Sequence, residues 1–122
     1  MANRKIMIVE DSSTYMRIIS DILSSGPYEL ITATDGEQAL AMVPQERPDL
    51  ILLDVILPKR NGFQVCRQLK TTPDTKNIKI IMLTSKSLDS DRYWGLQQGA
   101  DDYITKPFEK EDLLNSITQL LQ

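Results

Sequence analysis

Five short apolar runs, each followed by a segment with helical periodicity, constrain the fold of this chain more than any other feature. The runs predict strands at residues 5–9, 28–33, 49–54, 78–83 and 102–105. Parallel strands need a crossover connection of roughly a dozen residues or more, and the intervening segments are long enough to supply one. We therefore predict an α/β fold with a doubly wound, five-stranded parallel sheet and helices on both faces. No linker or repeat interrupts the pattern, which predicts one domain over residues 1–122.

The third run has the most informative composition. Residues 49–54 read Asp-Leu-Ile-Leu-Leu-Asp, and Pro58 follows shortly afterwards. A continuous apolar run bounded by such breakers is typical of a strand buried on both faces of a parallel sheet. Asp54 would then lie at the carboxyl edge of the sheet, where open α/β folds place their ligand crevices. Taken alone, an aspartate in this position could equally well begin a turn.

Proline, glycine and small polar residues predict where the helices begin and end. Residues 24–27 should end a first helix that carries Tyr15 in its apolar pattern, and Pro44 should stop a second helix that begins near residue 37. A later helix is predicted over residues 88–98, with Gly99 as its C-terminal cap.

Composition and charge exclude several classes of protein. A net charge of -3 without a basic cluster argues against a nucleic-acid partner. The apolar runs are too short for membrane insertion or a signal peptide. The single cysteine, Cys66, excludes an internal disulfide and suits a cytoplasmic location, and we expect it to be a small core residue. The absence of histidine excludes Ser-His-Asp and Cys-His catalysis and any role as a phosphohistidine donor.

The functional signal lies in the side chains that follow the strands: Glu10 and Asp11, Asp54, Thr84, and Lys106. If the strand order is 2-1-3-4-5, all of them open into one crevice at the topological switch point. Carboxylates about 4 Å apart repel each other by roughly 4 kcal/mol at an effective dielectric constant near 20, and a hard divalent cation would relieve that repulsion. Magnesium suits such a site because it accepts carboxylate oxygens and leaves room for phosphate. A lysine and a threonine hydroxyl also suit a phosphoryl group.

With these residues in place, the chain resembles the receiver domain of bacterial two-component response regulators, in the single-domain, chemotaxis-type form. The resemblance extends over essentially the full length. It rests on motifs that keep the family's order and spacing: Glu10 and Asp11, Asp54 with Pro58 and Gly62, Thr84 and Ser85, residues 99–103, and Lys106, Pro107 and Phe108.

The resemblance implies a role for each site residue. Asp54 would be the phosphoacceptor, which attacks a phosphohistidine on a sensor histidine kinase or a histidine phosphotransfer protein. Asp11 and Asp54 would ligate Mg²⁺ directly together with the backbone carbonyl of Ile56, and Glu10 would act through a bound water. Lys106 would pair with the phosphoryl oxygens. Such a chain catalyses its own phosphorylation and dephosphorylation and is not a conventional enzyme.

The resemblance also implies how the signal leaves the site. Thr84 would donate its hydroxyl to the phosphoryl group, and Tyr103 would be the aromatic switch. Residues 88–98 and Tyr103 would form an output face, with the fifth strand and helix, for a downstream target protein. We expect a monomer or weak dimer. Ile56 and Lys86 occupy positions that influence the lifetime of the phosphoryl group. Neither residue indicates whether that lifetime is lengthened or shortened.

Other functions are compatible with parts of the pattern. A phosphate relay or an interaction module that is not phosphorylated would have the same fold. A phosphatase of the haloacid dehalogenase type would normally have a second acid where Ile56 stands. A flavodoxin-like module would need a loop of amide donors where Glu10 and Asp11 stand.

Overall fold

The computed structural model describes residues 3–122, so Met1 and Ala2 of the predicted domain lie outside the described residues. Its strands are β1 (Arg4–Val9), β2 (Tyr28–Ala33), β3 (Leu50–Leu53), β4 (Lys79–Thr84) and β5 (Asp102–Thr105). They form a five-stranded sheet in the order β2-β1-β3-β4-β5. Each neighbouring pair is parallel, which confirms the predicted fold. The helices are α1 (Ser13–Ser24), α2 (Gly36–Glu46), α3 (Gly62–Lys70), α4 (Asp89–Gln97) and α5 (Lys110–Leu120).

Two hydrophobic clusters cover the two faces of the sheet. Alternate residues of β3 enter opposite clusters, with Leu50 and Leu52 on one face and Ile51 and Leu53 on the other. One cluster is closed by apolar side chains of α1 and α5, and the other by those of α2 and α3. The central strand is therefore buried on both faces, as its composition predicts.

Backbone hydrogen bonds fix the carboxyl edge of the sheet. Asp54 N donates to Val9 O at 3.1 Å, directly beyond the last pair of β1 and β3. At the same edge, beyond the last pair of β4 and β5, Lys106 N donates to Thr84 O at 2.8 Å. The parallel register thus brings the residues that follow β1, β3 and β5 to the same edge.

The end of α2 differs from the sequence prediction. Pro44 was expected to stop the helix, but α2 continues to Glu46. Pro44 is exposed and lies two residues before the end of α2, and it removes only its own amide hydrogen bond. Arg47 then ends the helix in the left-handed conformation, with φ 50°, and its amide donates to Val43 O at 2.8 Å.

The other predicted helix ends agree closely with the structure. α1 ends at Ser24, and α4 lies within the predicted range 88–98. Gly99, which follows α4, has φ 106°, a conformation that favours glycine. None of the helices between residues 3 and 122 combines the length and apolar character that a membrane crossing needs.

Candidate functional site

Three ionisable side chains meet where the strands end. Lys106 Nζ lies 2.6 Å from Glu10 Oε1 and 3.0 Å from Asp54 Oδ2. The side chains of Lys106, Glu10 and Asp54 are only 5%, 3% and 7% exposed. Two buried carboxylates from different strands therefore share one buried cation, which offsets their mutual repulsion.

Both carboxylates are also held by the backbone. Asp54 Oδ1 accepts a hydrogen bond from Ile56 N at 3.1 Å, and Glu10 Oε2 accepts one from Ser12 N at 3.0 Å. Gly62, at the start of α3, packs directly on the chain after β3, where an added Cβ would collide with the carbonyl oxygen of Asp54. These contacts fix the orientation of the two side chains without using the oxygens that face Lys106.

Burial and the contacts with Lys106 affect protonation at the site. Burial raises the pKa of Glu10 above its ordinary value, although the hydrogen bond from Lys106 acts in the opposite direction. Burial by itself would lower the pKa of Lys106, but its hydrogen bonds to Glu10 and Asp54 outweigh this effect and raise the pKa. Lys106 is therefore a cation at neutral pH, next to Asp54.

The remaining predicted site residues lie around these three side chains. Asp11 is exposed at the rim, next to the buried Glu10. The side chain of Ile56 is 57% exposed. Thr84 is fully buried, and its Oγ1 accepts a hydrogen bond from Lys86 N at 3.3 Å. In this arrangement Thr84 holds its own loop, whereas Glu10, Asp54 and Lys106 are in direct contact.

The oxygen donors of the site suit magnesium in kind. Glu10, Asp54 and Asp11 supply carboxylates, the ligands that a hard divalent cation prefers. In the part of the chain that the structure describes, no three acidic or cysteine side chains already converge at metal-binding distances. Lys106 instead occupies the position between Glu10 and Asp54. Lys106 therefore relieves much of the repulsion between the carboxylates, on which the sequence prediction of a metal was based.

Tyr15 is a contact of the site that the sequence analysis did not identify. Lys106 Nζ lies 4.2 Å from the centroid of its ring. The sequence placed Tyr15 only in the apolar pattern of α1. The sequence did carry a signal for this contact, because Tyr15 lies in the first turn of a helix that begins directly after the acids at the end of β1.

Tyr103 connects the site to the surface. Its side chain is buried, and its hydroxyl donates to Lys86 O at 2.7 Å, in the loop that also binds Thr84 Oγ1. Burial raises the pKa of Tyr103 to about 12, and the carboxylates of Asp91 and Asp54 act in the same direction. Arg92 of α4 donates from Nη1 to Tyr103 O at 2.9 Å.

The outer side of α4 carries large apolar side chains. Tyr93 and Trp94 are 65% and 51% exposed. Beside this helix, a concavity of about 540 Å³ is lined by Arg92, Tyr103 and residues of α5. A separate cavity of about 430 Å³ lies at the opposite edge of the sheet, around Arg4 and Lys79, and contains none of the predicted site residues.

Comparisons with known proteins agree with the fold. Residues 6–118 match the family model of the response regulator receiver domain. Protein PilH of Pseudomonas aeruginosa is 39% identical over 117 residues, which cover 96% of this chain and 97% of that protein. The alkaline phosphatase synthesis transcriptional regulatory protein PhoP of Bacillus subtilis is 41% identical over 120 residues, but the chain spans only 49% of its length.

Solved structures show the same relationship. The receiver domain of sensor histidine kinase PA1611 from Pseudomonas aeruginosa has a TM-score of 0.90 and 32% identity, with 98% of each chain covered. That structure has a magnesium ion coordinated in its active site cleft. Chemotaxis protein CheY4 of Vibrio cholerae has a TM-score of 0.89 and 32% identity, with 98% of this chain and 99% of that chain covered. The chain therefore belongs to the response regulator receiver domain family, whose members act in two-component signalling.

Proposed function

We propose that this receiver is a phosphorylation-dependent switch that accepts a phosphoryl group on Asp54. The donor is a phosphohistidine of a sensor histidine kinase or a histidine phosphotransfer protein. The observation that carries this proposal is the buried contact of 3.0 Å between Lys106 Nζ and Asp54 Oδ2. It places a cation beside a carboxylate at the edge of the sheet where open α/β folds bind their ligands.

The chemistry requires positioning and charge neutralisation more than covalent catalysis. An oxygen of Asp54 forms a bond to phosphorus, while the phosphorus–nitrogen bond of the protonated phosphoimidazole breaks. The electron pair of that bond goes to nitrogen, which leaves neutral imidazole on the donor. Lys106 pairs with the phosphoryl oxygens, which carry most of the charge.

Magnesium, when bound, adds positive charge beside the phosphoryl oxygens. Asp11 and Asp54 would hold it directly with the backbone carbonyl of Ile56, and Glu10 would act through a water. The carboxylates at the edge of the sheet support this assignment, as does the magnesium in the cleft of the PA1611 receiver domain.

The loop after β4 passes the signal on. Lys86 N donates to Thr84 Oγ1, and Lys86 O accepts from the Tyr103 hydroxyl. A phosphoryl group on Asp54 brings close to two negative charges and new acceptor oxygens, to which the Thr84 hydroxyl can donate its proton. Any movement of this loop therefore reaches Tyr103. The receiver then signals through the α4-β5-α5 face, by contact with a downstream target protein.

Intact mass spectrometry after incubation with acetyl phosphate and MgCl₂ tests the proposal. We expect one added phosphoryl group on the native chain, and none when EDTA replaces the magnesium or when the variant Asp54→Asn is used. Asp74→Asn is the matched control, because Asp74 is an exposed aspartate away from the site. Equal labelling of Asp54→Asn and the native chain would refute the assignment of Asp54. No labelling of the native chain would instead favour an interaction module that works without phosphorylation.

A further inference from the structure

Tyr15 makes the third contact of the buried ammonium. Lys106 Nζ lies 4.2 Å from its ring centroid, well within the range at which a cation is attracted to an aromatic face. The other two contacts are the hydrogen bonds to the carboxylates of Glu10 and Asp54. Those contacts point at single oxygen atoms, whereas the ring attracts the ammonium over its whole face.

The turn that presents Glu10 also fixes Tyr15. Ser12 is the N-cap of α1, and its Oγ accepts a hydrogen bond from Tyr15 N at 3.2 Å. The backbone amide of Ser12 donates to Glu10 Oε2 at 3.0 Å. Glu10 then binds Lys106 through its other oxygen, Oε1. The four residues form a closed circuit of contacts, so the backbone of Tyr15 is held relative to the lysine that its ring contacts.

The ring of Phe108 packs beside the ring of Tyr15. Its ring centroid lies 6.4 Å from that of Tyr15, with 35° between the planes, an ordinary separation for an aromatic pair. Phe108 comes two residues after Lys106, so the segment that carries the lysine also packs against its aromatic partner. Both rings are partly buried against the core beneath α1 and α5.

We propose that Tyr15 is a positioning residue, whose ring face holds the Lys106 ammonium beside Asp54 during phosphoryl transfer. This inference rests on the proposed function. When phosphorus bonds to Asp54, the carboxylate contact of Lys106 is exchanged for contacts with phosphoryl oxygens. The attraction of the ring does not depend on which oxygen the ammonium faces, so it persists through the exchange. Without the ring, Glu10 is the stronger remaining anchor and draws the ammonium away from Asp54.

The rate of phosphorylation by acetyl phosphate at saturating MgCl₂, followed by intact mass spectrometry, tests the role of the ring. Tyr15→Leu keeps apolar volume but removes the ring, and we expect it to slow the reaction by roughly threefold to thirtyfold. Tyr15→Phe keeps the ring and should react at close to the native rate. Tyr28→Leu is the matched control, because Tyr28 is partly buried against the same core and belongs to no part of the site.

A second comparison separates a positioning role from a structural one. If Tyr15 acts through the lysine, Tyr15→Leu should cause no further slowing in a Lys106→Met background. In addition, the Lys106 Cε protons should show an upfield ring-current shift in NMR spectra of the native chain and Tyr15→Phe that is absent from Tyr15→Leu. This second readout needs no phosphorylation.

The outcomes distinguish failure of this inference from failure of the proposed function. If the native chain is labelled on Asp54 but Tyr15→Leu reacts as fast as native, the positioning role is wrong and the proposed function stands. The same holds if Tyr15→Phe slows as much as Tyr15→Leu, or if the slowing persists fully without Lys106. If the native chain takes up no phosphoryl group, both are overturned.

Discussion

Lys106 is the residue on which the geometry of the site depends most. Two carboxylates that share a buried site disfavour each other's ionisation, and burial alone disfavours each of them. The ammonium of Lys106 offsets both effects, because it hydrogen-bonds to Glu10 and Asp54 at once and its side chain is almost fully buried. Under the proposed function, the same contact would place the cation where a phosphoryl group on Asp54 requires it.

Removal of this cation should destabilise the fold. For Lys106→Met we predict that the free energy of unfolding falls by about 3 to 5 kcal/mol at pH 7 without magnesium, because two buried carboxylates lose their shared partner. Urea denaturation in the presence of EDTA measures this difference in the free energy of unfolding. Lys59→Met is the matched control, because Lys59 is 60% exposed and lies 3.8 Å from its partner Asp35; exposed pairs of this kind contribute little. Equal stability of Lys106→Met and the native chain would contradict the prediction.

Cys66 should be unreactive in the folded chain. It is fully buried, and burial raises the pKa of its thiol to about 12. The thiolate is the reactive form, so we predict that Ellman's reagent labels native Cys66 at pH 8 far more slowly than it labels the urea-unfolded chain. Labelling of the native chain at the unfolded rate would show that the thiol is accessible.

The same shift in pKa has a consequence for stability in alkali. The ordinary thiol pKa is 9.0 and that of folded Cys66 is about 12, so protons bind more tightly in the folded state. The contribution to stability is therefore complete below pH 9.0 and is lost as the pH rises toward about 12. Cys66→Ala should show a smaller loss of stability over this pH range than the native chain.

At the scale of elements, the contact of α4 with β5 depends on a residue without a side chain. Gly95 is buried in α4, and an added Cβ would lie 2.9 Å from the ring of Tyr103 and from Met82 Sδ. The helix can therefore approach the strand that carries Tyr103 closely, while Tyr93 and Trp94 remain exposed on its outer side. Under the proposed function, the close contact with β5 and the exposed apolar side chains would let α4 report on the site to a partner.

Gly95→Ala should disturb this contact. Alanine favours the helix by about 1 kcal/mol, but we expect the collision with Tyr103 to outweigh this gain and lower the free energy of unfolding by about 1 kcal/mol or more. Thermal or urea unfolding measures the difference. Ser90→Ala, at an exposed position of the same helix, should be neutral or slightly stabilising. If Gly95→Ala stabilised the chain as much as Ser90→Ala, α4 could not be packed as described.

Some elements could be predicted closely from the sequence and others could not, for physical reasons. The bounds of β2 and β5 agree with the predicted runs, because burial and breakers near a strand are local properties. The predicted end of α2 was wrong, because a proline removes only its own amide hydrogen bond, and the backbone beyond Pro44 still closes the helix through the bond from Arg47 N to Val43 O. The contact of Tyr15 with Lys106 joins residues far apart in the chain, and side-chain directions across the edge of a sheet do not follow from periodicity.

At the scale of the whole molecule, the site and the α4-β5-α5 face are joined by short contacts through one loop. Thr84 lies at the end of β4, Tyr103 lies in β5, and Lys86 binds both of them through its backbone. Arg92 adds a contact from α4 to the backbone of Tyr103. A change at Thr84 therefore has a physical route to the surface, and couplings of this kind are typically about 1 to 3 kcal/mol.

Loss of the Thr84 hydroxyl should uncouple the two regions. On phosphorylation of the native chain, we predict changes in the amide NMR shifts of residues 84–95 and Tyr103. In Thr84→Ala these changes should be much smaller, because the phosphoryl oxygens lose the hydroxyl that links them to the loop. Thr72→Ala, an exposed threonine away from the site, is the control. Native-sized changes in Thr84→Ala would show that the signal takes another route.

The most direct test of the central claim is to identify the residue that carries the phosphoryl group. Reduction of the acetyl phosphate-treated chain with borohydride converts a phosphoaspartate to homoserine, which tandem mass spectrometry of the peptides can place on a single residue. We predict homoserine at position 54 only, and none in a sample reduced without acetyl phosphate. Homoserine at Asp11 or at another aspartate, with position 54 unmodified, would contradict the account.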